Sequence, residues 1–249
     1  MNTSFDDELN KIHFFKVHPS YIPFIGDRYD DFRVLHIGES HFIEQTPVST
    51  KYGISYFEKW WTDPCWEIKE LCPEWIDTRC VISKYMRDCG GSYSIFINFV
   101  KSFSKVALHK EIPNISIENK RLYEYLAFMI FFQMPSLYEG KGFWKSLVIS
   151  AREAGDESLA YKVWDDAVHY STGIVDSVIE ILNPKVIVIT SISAGKAYKD
   201  GGGKYREDER VIYTSHSGYP FTWYKRIKNL EGKRGVDVME EELAKIVSQ

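Results

Sequence analysis

Two clusters of proton-handling side chains stand out, each directly after a short apolar run. Gly38-Glu39-Ser40-His41-Phe42 follows Val34-Leu35-His36-Ile37, and Ser215-His216-Ser217-Gly218-Tyr219-Pro220 follows Val211-Ile212-Tyr213-Thr214. An imidazole held beside a substrate oxygen donates a hydrogen bond or a proton as negative charge develops there. A carboxylate facing it positions water or stabilises developing positive charge. Glu39, His41 and His216 are therefore the candidate catalytic groups, with Gly38, Ser40 and Ser217 beside them as binding groups. Each also has a plainer role. Gly38 can be a turn glycine, Glu39 a cap or a solvent-facing residue, and a loop histidine such as His216 a structural one. His36 lies within a strand and reads as packed.

These loops need strands behind them. Arg33 to Ile37 reads as a buried strand ended by Gly38, and Lys185 to Thr190, with Val186-Ile187-Val188-Ile189 unbroken, as the clearest buried strand. Val211 to Thr214 is the last strand, and Ser94 to Phe99 a further one, which would place Asn98 at a strand end. A carboxamide there offers one acceptor and two donors to a planar amide or nucleobase edge; it can equally cap a helix or tie down a loop. Helices are expected over Asp77 to Asp88, Lys120 to Met134, Ser158 to Leu182 (as one or two), Ser193 to Lys199 and Glu240 to Val247. Alternating helices with continuously apolar strands predict one α/β domain with a mostly parallel sheet covered on both faces. In such a sheet ligands bind beyond the carboxyl ends of the strands, so the two loops predict one shared cleft. Residues 1–31 read as a peripheral lead-in with aromatic spots at Phe14, Phe15, Tyr21 and Phe24. Residues 43–91 read as a mostly helical insertion carrying Trp60, Trp61, Trp66 and Trp75.

The 249 residues suffice for a full core, and 44% hydrophobic with 27% charged residues is ordinary for a globular chain. The net charge of -4 argues against a strong sequence-blind grip on duplex nucleic acid, though Lys225, Arg226, Lys228, Lys233 and Arg234 follow the second loop as a local basic run. No export signal or membrane-length apolar stretch is present, which predicts a soluble, cytoplasmic protein. Cys65, Cys72, Cys80 and Cys89 contain no Cys-x-x-Cys pair and read as reduced, packed residues rather than metal ligands. No cofactor is expected. Gly201-Gly202-Gly203-Lys204-Tyr205 lacks the spacing of a phosphate-binding loop, and Phe42 stands where a nucleophile elbow needs its second glycine.

In order along the chain, from about Arg33 to Trp223, these pieces resemble the uracil-DNA glycosylase superfamily. Gly38-Glu39-Ser40-His41-Phe42 is similar to its first, Gly-(Gln/Glu)-containing loop, Asn98 in Phe-Ile-Asn-Phe to its base-reading Asn, and His216-Ser217 to its last His-Pro-Ser motif. The resemblance implies a three-layer α/β/α fold around a central, mostly parallel four-stranded sheet, with DNA or a nucleotide as partner. Asn98 would read a base edge, Phe42 would wall its pocket, and His216 would stabilise the oxygen of the departing base. Tyr219, Pro220 and Phe221 would sit where the family inserts an apolar wedge to extract the nucleotide, with Lys225 and Arg226 as DNA contacts. The chain departs from the pattern at Ser40, where the best-known branch has a water-activating Asp, at His41, where proline is usual, and at Ser217, which takes the place of the proline after the histidine. Glu39 would then position the water.

Two readings follow from these residues. One is a hydrolase of the N-glycosidic bond of uracil or a damaged base; the other is a non-catalytic protein that binds a nucleotide or nucleic acid in the same cleft. A plainer third option is a scaffold whose Trp-rich insertion binds a protein partner through exposed Trp60 and Trp61.

Overall fold

A computed structural model describes residues 1–42, 54–57, 60–61, 76–87, 93–114, 116–138 and 140–247. Its centre is a five-stranded mixed sheet in the order β1-β3-β2-β4-β5. The strands are β1 (Phe24–Ile25), β2 (Val34–Gly38), β3 (Leu126–Ile130), β4 (Val186–Thr190) and β5 (Val211–Thr214). β2 pairs in parallel with β3 on one side and β4 on the other, and β4 pairs in parallel with β5. β1 joins the β3 edge antiparallel, with Phe24 opposite Phe128.

Every residue of β2, β3 and β4 is buried, the condition under which strands are apolar throughout rather than alternating. Helices cover both faces of the sheet. Tyr213 of β5 lies against Gly195 of the Ile192–Asp200 helix, while the adjacent Thr214 bonds the Gly235 carbonyl at the start of the Gly235–Val247 helix. Neighbouring strand residues point to opposite faces, so these two helices lie on opposite sides. The Ser94–Ala107 helix packs beside Gly235–Val247, and Phe143–Glu153 and Ile192–Asp200 pack beside the 25-residue Ser158–Leu182 helix.

Three expectations are corrected. Ser94 to Phe99 is the first part of the Ser94–Ala107 helix, not a strand. Ile95, Ile97 and Phe99 alternate over a short window, but burial of Phe96, Phe99, Val100 and Phe103 follows the helical period over the longer one. Leu126 to Ile130, read within a helix over Lys120 to Met134, is β3. An apolar run buried on both faces has no periodicity to distinguish strand from helix, and pairing with β1 and β2 decides it. The lead-in is part of the core. It supplies β1, and Phe14, Phe15, Tyr21 and Phe24 are buried. Gly26 then backs so closely onto the chain before β3 that a Cβ would lie 2.2 Å from the Glu124 carbonyl oxygen.

Helices at Thr78–Arg87, Ser158–Leu182, Ile192–Asp200 and Gly235–Val247 lie where periodicity places them, the last starting five residues earlier than Glu240. Most of the 43–91 segment, with Trp66, Trp75, Cys65, Cys72 and Cys89, lies outside the described residues. No helix among the described residues is long and apolar enough to cross a membrane.

Candidate functional site

The parallel strands run β3-β2-β4-β5 in space, so the chain moves from β2 to one side and then to the other. The crevice between β2 and β4, beyond their carboxyl ends, is the switch point at which open sheets bind ligands. Glu39 follows β2 directly and Ser191 follows β4 directly. Their side chains meet across this crevice, the Ser191 hydroxyl donating to Glu39 Oε2 at 2.7 Å.

The other carboxylate oxygen of Glu39 accepts the backbone N–H of Phe143 at 2.8 Å, at the start of the Phe143–Glu153 helix. Ser191 is itself the N-cap of Ile192–Asp200, accepting from Ala194 N at 3.1 Å. Glu39 thus sits at the amino ends of two helices, where partial positive charge favours a carboxylate. A carboxylate has about four acceptor positions, so two bonds leave it able to take a proton or orient a water. Sequence reading missed Ser191, although a serine between a buried strand and a helical pattern is a capping signal.

His216 lies in the loop after β5, near enough to Glu39 for the carboxylate to act on its ring. Gly218 N–H donates to its Nδ1 at 3.1 Å. In the neutral ring the proton is therefore on Nε2. Burial pushes the His216 pKa below its ordinary value, and the nearby Glu39 carboxylate pulls the other way without overcoming it. His216 is thus a neutral hydrogen-bond donor at pH 7. Gly218 is required here, because a Cβ would lie 2.9 Å from His216 Cε1 and 3.2 Å from Ile95 Cβ.

The Ser94–Ala107 helix clamps this loop. Asn98 Nδ2 donates to the Ser217 carbonyl at 2.6 Å, Ser217 Oγ donates to the Ile95 carbonyl at 2.9 Å, and Ser94 Oγ donates to the Gly218 carbonyl at 3.1 Å. Asn98 Oδ1 in turn accepts the Tyr224 hydroxyl at 2.8 Å. Asn98 therefore reaches the second loop from a helix, and its carboxamide ties that loop down. Gly38 ends β2 under the same helix, where a Cβ would lie 3.3 Å from the Phe128 ring and 3.8 Å from Ile95. Ser40 is half-buried at the rim.

The structure does not bring every candidate together. His41 turns inward, its Nε2 2.9 Å from Thr78 Oγ1 and its ring edge-on to Tyr21. The half-buried Phe42 leads away from the crevice, bridging to Ser136. His36 is packed, as its strand position implies. It stacks on Phe99 at 3.8 Å, accepts the Tyr123 hydroxyl at Nδ1 at 2.6 Å and donates from Nε2 to Thr190 Oγ1 at 2.8 Å. Burial and then the neighbouring His216 hold its pKa well below the usual histidine range.

His41, taken down to about 3 by burial, links this packing to stability. It is neutral when folded and binds a proton below pH 6.5 when unfolded, so stability is lost as pH falls through 6.5. At pH 5 this one group is expected to cost about 2 kcal/mol relative to pH 7. Urea unfolding at the two pH values should show the loss, and His41→Leu should reduce it.

Beyond His216 the chain turns outward. Tyr219, Phe221 and Tyr224 are exposed, while Trp223 between them is fully buried and Ser215 Oγ donates to the Thr222 carbonyl at 2.8 Å. Lys225 Nζ lies 4.5 Å from the centre of the Phe221 ring, and Arg226 is exposed beside it. Exposed rings thus alternate with cations on this surface. The family models, curated proteins and solved structures compared with the chain include no match.

Trp60 is buried, stacked on His18 at 4.2 Å with its Nε1 donating to the Gln133 carbonyl at 2.7 Å, and Trp61 is half-buried. An exposed Trp60–Trp61 patch for a protein partner is therefore not formed. Cys80 is exposed, and no cluster of His, Cys, Asp and Glu that could hold a metal occurs among the described residues.

Proposed function

We propose that the protein hydrolyses the N-glycosidic bond of uracil or a damaged base in DNA, on a fold of the uracil-DNA glycosylase type. What carries this reading is a neutral, Nε2-protonated His216 within electrostatic reach of the Glu39 carboxylate, which sits at the switch-point crevice. Cleavage of this bond leaves negative charge on the base and positive charge on the sugar. His216 Nε2–H donates to the oxygen of the departing base, and Glu39 stabilises the sugar cation and orients the attacking water. The parallel run β3-β2-β4-β5 within the five-stranded mixed sheet supports this reading, with Gly38 at a strand end and Ser40 and Ser217 in the loops that follow. The exposed Tyr219, Phe221 and Lys225 agree with a strand whose base is drawn out of its stack.

One observation favours the second reading, a non-catalytic protein that binds a nucleotide or nucleic acid. Asn98, the residue expected to read the base, is engaged by Ser217 and Tyr224. In the hydrolase, the Tyr224 hydroxyl must yield Asn98 Oδ1 to the base. Tyr224→Phe is then expected to raise base release from uracil-containing single strands at low salt, by about 2- to 10-fold for one removed hydrogen bond of about 1 kcal/mol. Asn98→Ala is expected to abolish release. Oligonucleotide binding without release in the wild type and in Tyr224→Phe would favour the binding reading.

A further inference from the structure

Ser191 stands where β4 ends and the Ile192–Asp200 helix begins, buried and in extended backbone at φ -165° and ψ 129°. Its hydroxyl has two partners. The oxygen accepts the Ala194 N–H at 3.1 Å, as the cap of the helix, and the proton goes to Glu39 Oε2 at 2.7 Å. With the oxygen turned toward the helix, the proton is presented to the carboxylate across the crevice between β2 and β4.

Glu39 is otherwise held through its first oxygen. Oε1 accepts the Phe143 N–H at 2.8 Å, and a Cβ at Gly142 would lie 3.3 Å from that oxygen. A carboxylate bonded through one oxygen is free to turn about that bond. Bonded through both, to groups at the starts of two separate helices, it has one orientation, and its remaining acceptor positions point in fixed directions. A group that orients a water needs this, because a misplacement of about 1 Å can cost on the order of 10²-fold in rate.

We propose that Ser191 is a positioning residue, whose hydroxyl sets the orientation of the Glu39 carboxylate. Its effect on rate rests on the hydrolase reading; its effect on the carboxylate does not. Ser191→Ala removes both the hydroxyl and the cap, whereas Ser191→Gly removes the hydroxyl but leaves a residue that caps helices well. Single-turnover base release from a uracil-containing single strand should fall by about 10- to 100-fold in both variants, with oligonucleotide affinity little changed. Tm should be lower in Ser191→Ala than in Ser191→Gly, so that rate does not follow stability. Crystal structures of the wild type and Ser191→Gly supply a readout independent of activity. Glu39 should keep one orientation in the former and turn, or adopt several, in the latter. Release restored in Ser191→Gly would make Ser191 a helix cap alone, and an unmoved Glu39 would likewise overturn the proposal. If the wild type releases no base, the hydrolase reading falls, and the orientation of Glu39 in Ser191→Gly still decides the proposal.

Discussion

His216→Ala is expected to lower base release about 10²- to 10³-fold, the effect of removing one preorganised donor from a developing oxyanion. Affinity for the oligonucleotide should change little, since the lost bond strengthens only as the base departs. The pH profile supplies an independent signature. Burial lowers the His216 pKa, so the neutral ring persists below pH 6.5, where an ordinary histidine would already be protonated. Wild-type activity should hold through pH 6.5 and fall only below it, and the residual activity of His216→Ala should lack that histidine-dependent limb. A loss in affinity equal to the loss in rate would instead make His216 a simple binding residue.

Glu39→Gln is expected to cost about 10²-fold or more in single-turnover rate, within the range for a positioned acid–base group. The carboxylate accepts from both Phe143 N and Ser191 Oγ. A carboxamide has one oxygen, which would keep the Phe143 N–H, while its NH₂ group would turn the Ser191 hydroxyl from donor to acceptor. A stability loss of about 1 kcal/mol should accompany the change, because both hydrogen bonds lose their charged acceptor. Removal of the negative charge should also lower the His216 pKa further, because the Coulombic pull of Glu39 is what opposes burial. Ring ¹⁵N shifts of His216 would report this directly. Loss of stability with full rate would reduce Glu39 to a clamp between two helix ends.

Both strand-end loops were legible because their strands are short, mostly apolar and cut off by Gly38 or Ser215. What joins them was not legible. Ser191 meets Glu39 only after β4 takes its place beside β2, and that pairing is a tertiary fact. β3 was hidden because Leu126 to Ile130 is buried on both faces, which erases periodicity. Asn98 was expected at a strand end beside the second loop, and only its element differs from that expectation. It lies on a helix, yet reaches the Ser217 carbonyl because the Ser94–Ala107 helix packs over the ends of the sheet. The departure at His41, in place of a proline, reads differently in three dimensions. Its ring fills a slot between Thr78 and Tyr21, so the residue anchors the first loop from below. β1 was illegible at two residues long, because it exists only as an edge partner for β3.

The measurement that tests the account most directly is single-turnover release of free uracil from a uracil-containing single-stranded oligonucleotide. Enzyme would be in excess over substrate, and the released base quantified by mass spectrometry for wild type and His216→Ala. The account predicts release by the wild type that falls about 10²- to 10³-fold in the variant. Release that is absent from both, or equal in both, would contradict it.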